Sequence, residues 1–324
     1  MALNKRLQVV GVGKQSAKGT AATNPDFAHG IEVGTVGDIP TTQDRAPLTS
    51  AYRASSYYER TESAGGAGDF TMRAHPKTIG LYLYGALGGK AVTGAGPYTH
   101  TFTDAASLPY LTLFDKKYGS IINAIKDCRV DKLEFSWDKA GAVKVDVGLM
   151  GTTPDFSATF TPVVDDSEAA YFLAGGGTFK LDTDSSTPVT ARISAGKVSI
   201  ANGVEPVGLS ASVVPNEQMD GELVVDWELT VIPDTDLADW RTVVTGSASG
   251  TTISEAPVLG SAEVSFVQST NSLKFTSTQV GFLADIPESD AGGGPVEIVL
   301  KGQATRPSGG ATLTAVLINA QATY

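Results

Sequence analysis

The sequence predicts a mainly β protein, an antiparallel β-sandwich or barrel with one or two short flanking helices. Two alternating ladders and the spacing of turn residues carry this prediction. In RVDKLEFSWDKAGAVKVDVGLM, residues 129–150, Leu133, Phe135 and Trp137 share one face, while Lys132, Glu134, Ser136 and Asp138 share the other. Val143, Val145, Val147 and Leu149 resume the apolar face after a Gly-containing turn. In ELVVDWELTVI, residues 222–232, Leu223, Val225, Trp227, Leu229 and Val231 face one way; Glu222, Asp226 and Glu228 face the other, with Val224 the apolar exception. The 36 Gly and 16 Pro fall mostly between short runs rich in Val, Thr, Ile and Leu, the punctuation of many strands joined by many turns.

The first ladder reads as a hairpin. A three-residue loop, Lys139 to Gly141 with Gly141 left-handed, sets Trp137 opposite Val143 and Phe135 opposite Val145. One face is then buried and the other meets water, as in an antiparallel sheet. The same register places Glu134 opposite Asp146, a like-charge pair costing a few tenths of a kcal/mol unless Lys132 and Lys144 on the diagonals compensate. Both ladders pair an apolar face with an acidic-leaning one. Two readings of that polar face stay open, an ordinary solvated surface and a wall kept negative for a purpose.

Before these ladders, residues 1–33 read as an N-terminal arm with a first strand, around an apolar nucleus at Leu7 to Val12. Residues 34–68 hold little periodicity, and a segment of that length reads as a functional loop or one ordered by a partner. Tyr52, Arg53, Tyr57, Tyr58 and Arg60 are its candidate contact residues, since Tyr and Arg carry much interface energy; the alternative is that these tyrosines cover the protein's own core. Residues 69–324 form the β-rich remainder. A strand at Asp69 to Ala74 leads into a helix at Pro76 to Leu87, with Pro76 in the first turn, Ile79, Leu83, Ala86 and Leu87 as its buried stripe and Gly88 at its end. Gly80 and Gly85 weaken this helix, so packing must hold it.

Strands follow at Tyr98 to Phe102 and Tyr110 to Phe114, and beyond the hairpin at Thr178 to Leu181, Lys197 to Ile200 and Leu209 to Val213. A second helix is expected at Thr235 to Val244, capped by Asp234 or Thr235, burying Leu237, Trp240 and Val244 and ending at Gly246. Strand then short helix thus occurs twice, around 69–88 and 222–246, which suggests two related halves meeting near 151–180. The last strands are Ala262 to Gln268, Leu273 to Thr278, Val296 to Lys301 and Thr312 to Ile318, and the closing INAQATY reads as a last strand or an arm reaching to a neighbour.

Composition narrows function. Lys plus Arg total 24 against 35 Asp plus Glu, a net charge of -11 with no basic stripe, which argues against affinity built on phosphate neutralisation. Cys128 has no partner in the chain, so an internally disulfide-stapled secreted domain is excluded. The opening MALNKRLQVVGVGKQ lacks a signal-length apolar run and no window reaches eighteen apolar residues, so a soluble protein of a reducing cytoplasm is expected.

Catalytic, metal and cofactor patterns are missing. His29, His75 and His100 are dispersed, and His100 reads as a polar-side strand residue. GVGKQSAKGT at 11–20 fits neither the dinucleotide nor the phosphate-loop pattern and reads as flexible. There is no GxSxG elbow, and Cys128 reads as a small buried residue at a strand entry. Asp165, Asp166 and Glu168 cluster without the spacing of a calcium loop and read as a solvated loop. No enzyme, cofactor or metal site is expected.

Several motifs in order resemble the major tail tube proteins of long-tailed, siphovirus-like bacteriophages. They are the GVGKQSAKGT opening, PKTIGLYLYGALGG as a strand-to-helix element, YTHTFTDAASLPYLTLF, the hairpin RVDKLEFSWDKAGAVKVDVGLMG and, more weakly, GELVVDWELTVI with DLADWRTVVTG. Each motif is short, and their order over most of the chain is more specific than any one. The resemblance implies a tail-tube-like sandwich or barrel in a virion structural protein. Copies would form rings, hexameric or as a pseudo-sixfold trimer, whose inner strands close into a continuous barrel around a negatively lined lumen, and the rings would stack into the tube through which the genome leaves the capsid. It further implies a helix on the outer side of the sheets, contacts between rings through 34–68 and the chain termini, and a lumen lined by Glu134, Asp146, Glu222, Asp226 and Glu228. The implied partners are the chain itself, tape measure, distal tail and terminator proteins, and double-stranded DNA passing without specific binding; no membrane is involved. The implied place is the virion tail, assembled in the host cytoplasm. A capsid decoration or tail terminator protein is the first alternative. A carbohydrate-binding or adhesin sandwich is the second, favoured if Trp227 and Trp240 share an exposed surface.

Overall fold

The computed structural model describes residues 8–38, 41–45, 58–63, 67–117, 121–152, 154–161, 164–165, 171–182, 189–190, 192–208, 215, 217–232, 238–247, 249–255, 258–284 and 296–324. In chain order the first elements are β1 (Val9–Lys14), β2 (Phe27–His29), β3 (Val33–Asp38), β4 (Thr41–Arg45), β5 (Tyr58–Ser63), β6 (Ala67–Arg73), helix α1 (Ile79–Leu87), β7 (Gly88–Thr93), β8 (Tyr98–Asp104), β9 (Leu111–Lys117), β10 (Ile121–Asp138), β11 (Lys144–Met150) and β12 (Pro154–Asp155). There follow β13 (Gly177–Asp182), β14 (Val189–Thr190), β15 (Ile193–Ala201), β16 (Glu205–Val207), β17 (Glu217–Met219), β18 (Val224–Val231), helix α2 (Ala238–Thr245), β19 (Leu259–Gln268), β20 (Asn271–Ala284), β21 (Ile298–Ala304) and β22 (Thr314–Asn319). Every ladder between these strands is antiparallel.

Two sheets form a sandwich. The first runs β3-β6-β11-β10-β15-β18-β21. The second runs β7-β8-β22-β20-β19-β13-β14. They join at a corner, because the first half of β20 pairs with β22 and its last residues, Val280 to Ala284, pair with β21. Among the described residues no pairing joins the remaining ends, so the assembly of strands is an open sandwich and not a closed barrel. A smaller sheet, β2-β1-β9-β10-β12, uses the first half of β10. The strand passes between sheets at Asp127, whose φ is +54° and where the register shifts. Both sandwich sheets draw strands from before and after residue 151, so the two parts of the chain interleave.

The apolar faces of the two ladders are the core. Phe135 meets Phe275 across the sandwich at 4.6 Å between ring centroids, and Trp137 meets Phe266 at 5.2 Å. Trp227 is 1 % exposed and its indole N–H donates to Ser277 Oγ at 3.1 Å, satisfying the one polar group its burial would otherwise orphan. Phe135 lies opposite Val145 and Glu134 opposite Asp146, as the alternation predicts. The turn differs: Lys139, not Gly141, has positive φ (+47°), and the Gly141 N–H donates to Asp138 O to close it. The ladder ends at Ser136–Lys144, because the Val143 N–H turns to Phe172 O.

Helix α1 is not on the outside of the sheets. Eight of its nine residues are buried, all but Tyr84. Its glycines explain how it fits: a Cβ on Gly85 would sit 2.7 Å from Val130 of β10, and one on Gly80 would overlap the Tyr324 ring. Gly88 ends it at φ +81°. The C-terminal segment closes over the same helix. Tyr324 is 7 % exposed, its ring against Phe27, His100 and Phe102, and its hydroxyl reaches the Lys77 carbonyl at 3.0 Å. His100 is therefore buried, its Nε2 donating to Gln321 O at 2.7 Å, and is not a polar-side strand residue. Sequence pattern misplaced it because its cover comes from residues 321–324, far along the chain. Residues 233–237, with the expected cap and Leu237, and the strand at 209–213 lie outside the described residues. Of α2 the structure shows buried Thr242 and Val243 and the Gly246 N–H donating to Thr242 O.

Candidate functional site

The outward face of the first sheet holds most of the predicted polar residues. Cross-strand partners point to the same side of a sheet, so the registers define rows running across the strands. One row reads Val33, Thr71, Asp146, Glu134, Ser199, Asp226, Gln303 and Gly281. The next, two residues along each strand, reads Arg73, Lys144, Ser136, Lys197, Glu228, Lys301 and Leu283. Glu134, Asp146, Asp226 and Glu228 thus share one face. Glu222 is exposed but precedes β18, which begins at Val224, so it is off the ladder.

This face is close to charge balance. On its ladders the acids are Asp69, Glu134, Asp138, Asp146, Asp226 and Glu228 and the bases Arg73, Lys132, Lys144, Lys197 and Lys301, a net of -1, to which Glu32, bonded to Arg73, adds one more negative charge. Lys132 pairs with Glu134 at 3.3 Å and Lys197 with Glu228 at 3.4 Å, while the Thr71 hydroxyl donates to Asp146. The like-charge pair Glu134–Asp146 is therefore compensated from Lys132 and Thr71. Lys197 and Lys301 were legible in KVSI and IVLKGQ, where each shares its alternation face with the polar residue two positions on; the two long ladders alone do not include them.

The other candidates divide. Tyr52, Arg53 and Tyr57 lie outside the described residues. Tyr58 and Arg60 stand in β5, whose backbone pairs Tyr58 with Arg45 and Arg60 with Gln43. Residues 34–68 thus contain strands: β3 pairs with β6, and β4 with β5 as a separate two-stranded ribbon.

Elsewhere the chemistry is structural. Cys128 is 1 % exposed and burial pushes its thiol up to about 12. Burial holds His100 below the usual imidazole value and Tyr82 well above the usual phenol value. Asp165 pairs with Lys77 and accepts from the Ala28 N–H, while 166 and 168 lie outside the described residues. Among the described residues no three His, Cys, Asp or Glu side chains are grouped to hold a metal, and no helix is long and apolar enough to cross a membrane.

No curated protein sequence matches the chain. The sequence pattern of the phage tail tube proteins, however, matches residues 6–315, nearly the whole chain. That span takes in the two-faced ladders and every strand of both sheets but most of β22, and the chain belongs to the phage tail tube protein family.

Proposed function

We propose that copies of this chain close into rings, that rings stack into the tail tube of a long-tailed, siphovirus-like phage, and that the outward face of the first sheet lines the bore through which the genome leaves. The observation that carries this reading is the pairing, within one sheet, of a core-grade apolar face with a polar face on which Glu134, Asp146, Asp226 and Glu228 share two adjacent rows. Such a face is suited to water on a monomer and to a water-filled lumen in a ring. Glu222 stands near the end of β18 and extends the same lining.

Electrostatics favour sliding. Adjacent rows lie about 7 Å apart along the strands, below the Debye length of about 8 Å at physiological salt. Acidic and basic rows therefore largely cancel at the distance of a passing duplex, leaving the weak repulsion of a net -11 subunit and no basic grip. The segment 34–68 is the proposed contact between stacked rings, with Tyr52, Arg53, Tyr57, Tyr58 and Arg60 as its contact residues. Tape measure, distal tail and terminator proteins are the partners along the tube axis and at its ends, and no catalysis is assigned.

The adhesin reading loses its main support, since Trp227 is buried. Negative-stain microscopy of the purified protein at rising concentration tests the proposal. Hollow tubes of uniform bore are expected, and mass measurement of single rings distinguishes six subunits from three. Single rings that never stack point to a terminator or decoration role, and a permanently monomeric species overturns the tube.

A further inference from the structure

We propose that the chain carries one folding unit twice, in residues 9–155 and 177–319, and that the ring therefore closes with three copies, each lending the bore two equivalent sets of four strands. This rests on the ring proposed above and names its copy number and contact strands. The strand partnerships carry it. In the first unit β1 pairs with β2 and β9, β9 and β12 pair with the first part of β10, and β3, β6, β11 and the last part of β10 lie side by side. In the second, β13 pairs with β14 and β19, β19 and β22 pair with the first part of β20, and β15, β18, β21 and the last part of β20 lie side by side. A two-stranded ribbon, β4–β5 or β16–β17, is inserted between the first two strands of each set, and a helix follows the second. Among the described residues only β7 and β8 lack a counterpart.

The match extends to single residues. Leu113 of β9 sits between Val12 of β1 and Ile125 of β10, as Ala262 of β19 sits between Leu181 of β13 and Ser277 of β20. Immediately beyond, both long strands bulge alike. Ile125 to Cys128 takes three residue steps against two from Leu113 to Leu111, and Ser277 to Val280 takes three against two from Ala262 to Gly260. An extra residue at the same point of two matching topologies marks a shared device and not an accident of packing. The bulge turns the rest of each strand onto the first sheet. There β10 pairs with β15 from Lys132–Ala201 to Asp138–Ala195, joining the two sets within one chain. At the ends of the eight-stranded run, the far edge of β20 at Leu283 and Ala284 has no strand partner among the described residues, and neither has the outer edge of β3. Since β20 matches β10 and β3 matches β15, these two edges are partners between neighbouring copies. The register shift in β3 between Val36 and Asp38 does not bar this, because β15 has one between Ile193 and Ala195 and still pairs on both sides; it leaves each contact weak alone. Strands about 4.8 Å apart and tilted by about 40° close at a backbone diameter of roughly 50 Å for three copies and roughly 100 Å for six. The narrower barrel already clears a DNA duplex.

Mass measurement and end-on averaging of single rings, with hydrogen–deuterium exchange on the dilute subunit and on tubes, test this. Rings of three chain masses are expected, with six near-equal lobes whose true repeat is threefold. Amides of β3 and around Leu283 should slow at least tenfold on assembly, while those of β10 and β15 where they pair are slow in both states. Rings of six chains overturn the inference while the tube reading survives. Rings in which β3 and Leu283 exchange as in the subunit, or in which β7 gains the protection instead, overturn the contact strands. A protein that stays monomeric at every concentration overturns the tube reading and this inference with it.

Discussion

Replacing Gly80 by Ala should destabilise this protein, although the same change in most helix interiors does the reverse. Alanine is favoured over glycine in a helix by about 1 kcal/mol. At Gly80, however, the new methyl would overlap the ring of Tyr324, held by Phe27, His100 and Phe102 and by hydroxyl contacts to Asn319 and the Lys77 carbonyl. Forcing a methyl into a packed site costs about 1–3 kcal/mol, so Gly80→Ala alone should lose about 1 kcal/mol net. Tyr324→Ala should itself cost about 3–5 kcal/mol, the range for truncating a buried aromatic. In that background the obstacle is gone, and Gly80→Ala should regain the helical preference of about 0.5–1 kcal/mol. The two substitutions are thus coupled by roughly 2 kcal/mol with a change of sign. Urea unfolding of the dilute, unassembled protein, followed by tryptophan fluorescence, measures all four corners of the cycle. A Gly80→Ala protein more stable than its parent, or the same effect in both backgrounds, would refute the placement of Tyr324 on α1.

Three further outcomes follow from the packing. Ser277→Ala removes the acceptor of the Trp227 indole N–H in a fully buried site and should cost about 1–3 kcal/mol in urea unfolding. His100 is held neutral by burial, so the unfolded chain binds its proton more readily. Stability should therefore fall as pH drops through 6.5 toward the lower folded value, and His100→Gln should flatten that part of a melting-temperature profile. Cys128 should stay unmodified by a thiol reagent at pH 8 in the folded protein and react at once in denaturant, since its thiol is buried and lies near 12.

What was legible in the sequence was what lies in local period. The hairpin around Trp137 and Val145, the ladder around Trp227 and the helix ending at Gly88 all follow from spacing within about twenty residues. Long-range cover was not legible. The polar-looking His100 joins Asn319 and Tyr324, from the unremarkable INAQATY, in one buried cluster only because β8 and β22 are neighbours in the sheet. Likewise α1 looks amphipathic in sequence yet is enclosed, since Tyr324 and Val130 approach it at the two glycines that propensity counts only as weaknesses. The candidate lining was half visible: its acids stood in the two long ladders, while Lys197 and Lys301, which bring the face near neutrality, share that face only through cross-strand registers that no single strand's alternation reveals.

The strand edges differ in what they offer a second chain. The edge at β3 is interrupted by a register shift and by two glycines in conformations that other residues rarely adopt, which disfavours regular extension of the first sheet there. The edge at β7 is regular, pairing Gly88 through Thr93 with β8 in unbroken register, and Val92 is 38 % exposed there. That strand offers regular backbone partners but little apolar surface, whereas β3 offers the exposed Val33 on an irregular edge. Separating the two features removes the combination that drives irreversible strand addition. In the ring proposed above, contacts that are weak one at a time would be multiplied around the closed circle, so closure, and not pairwise affinity, would be the step that commits the subunit.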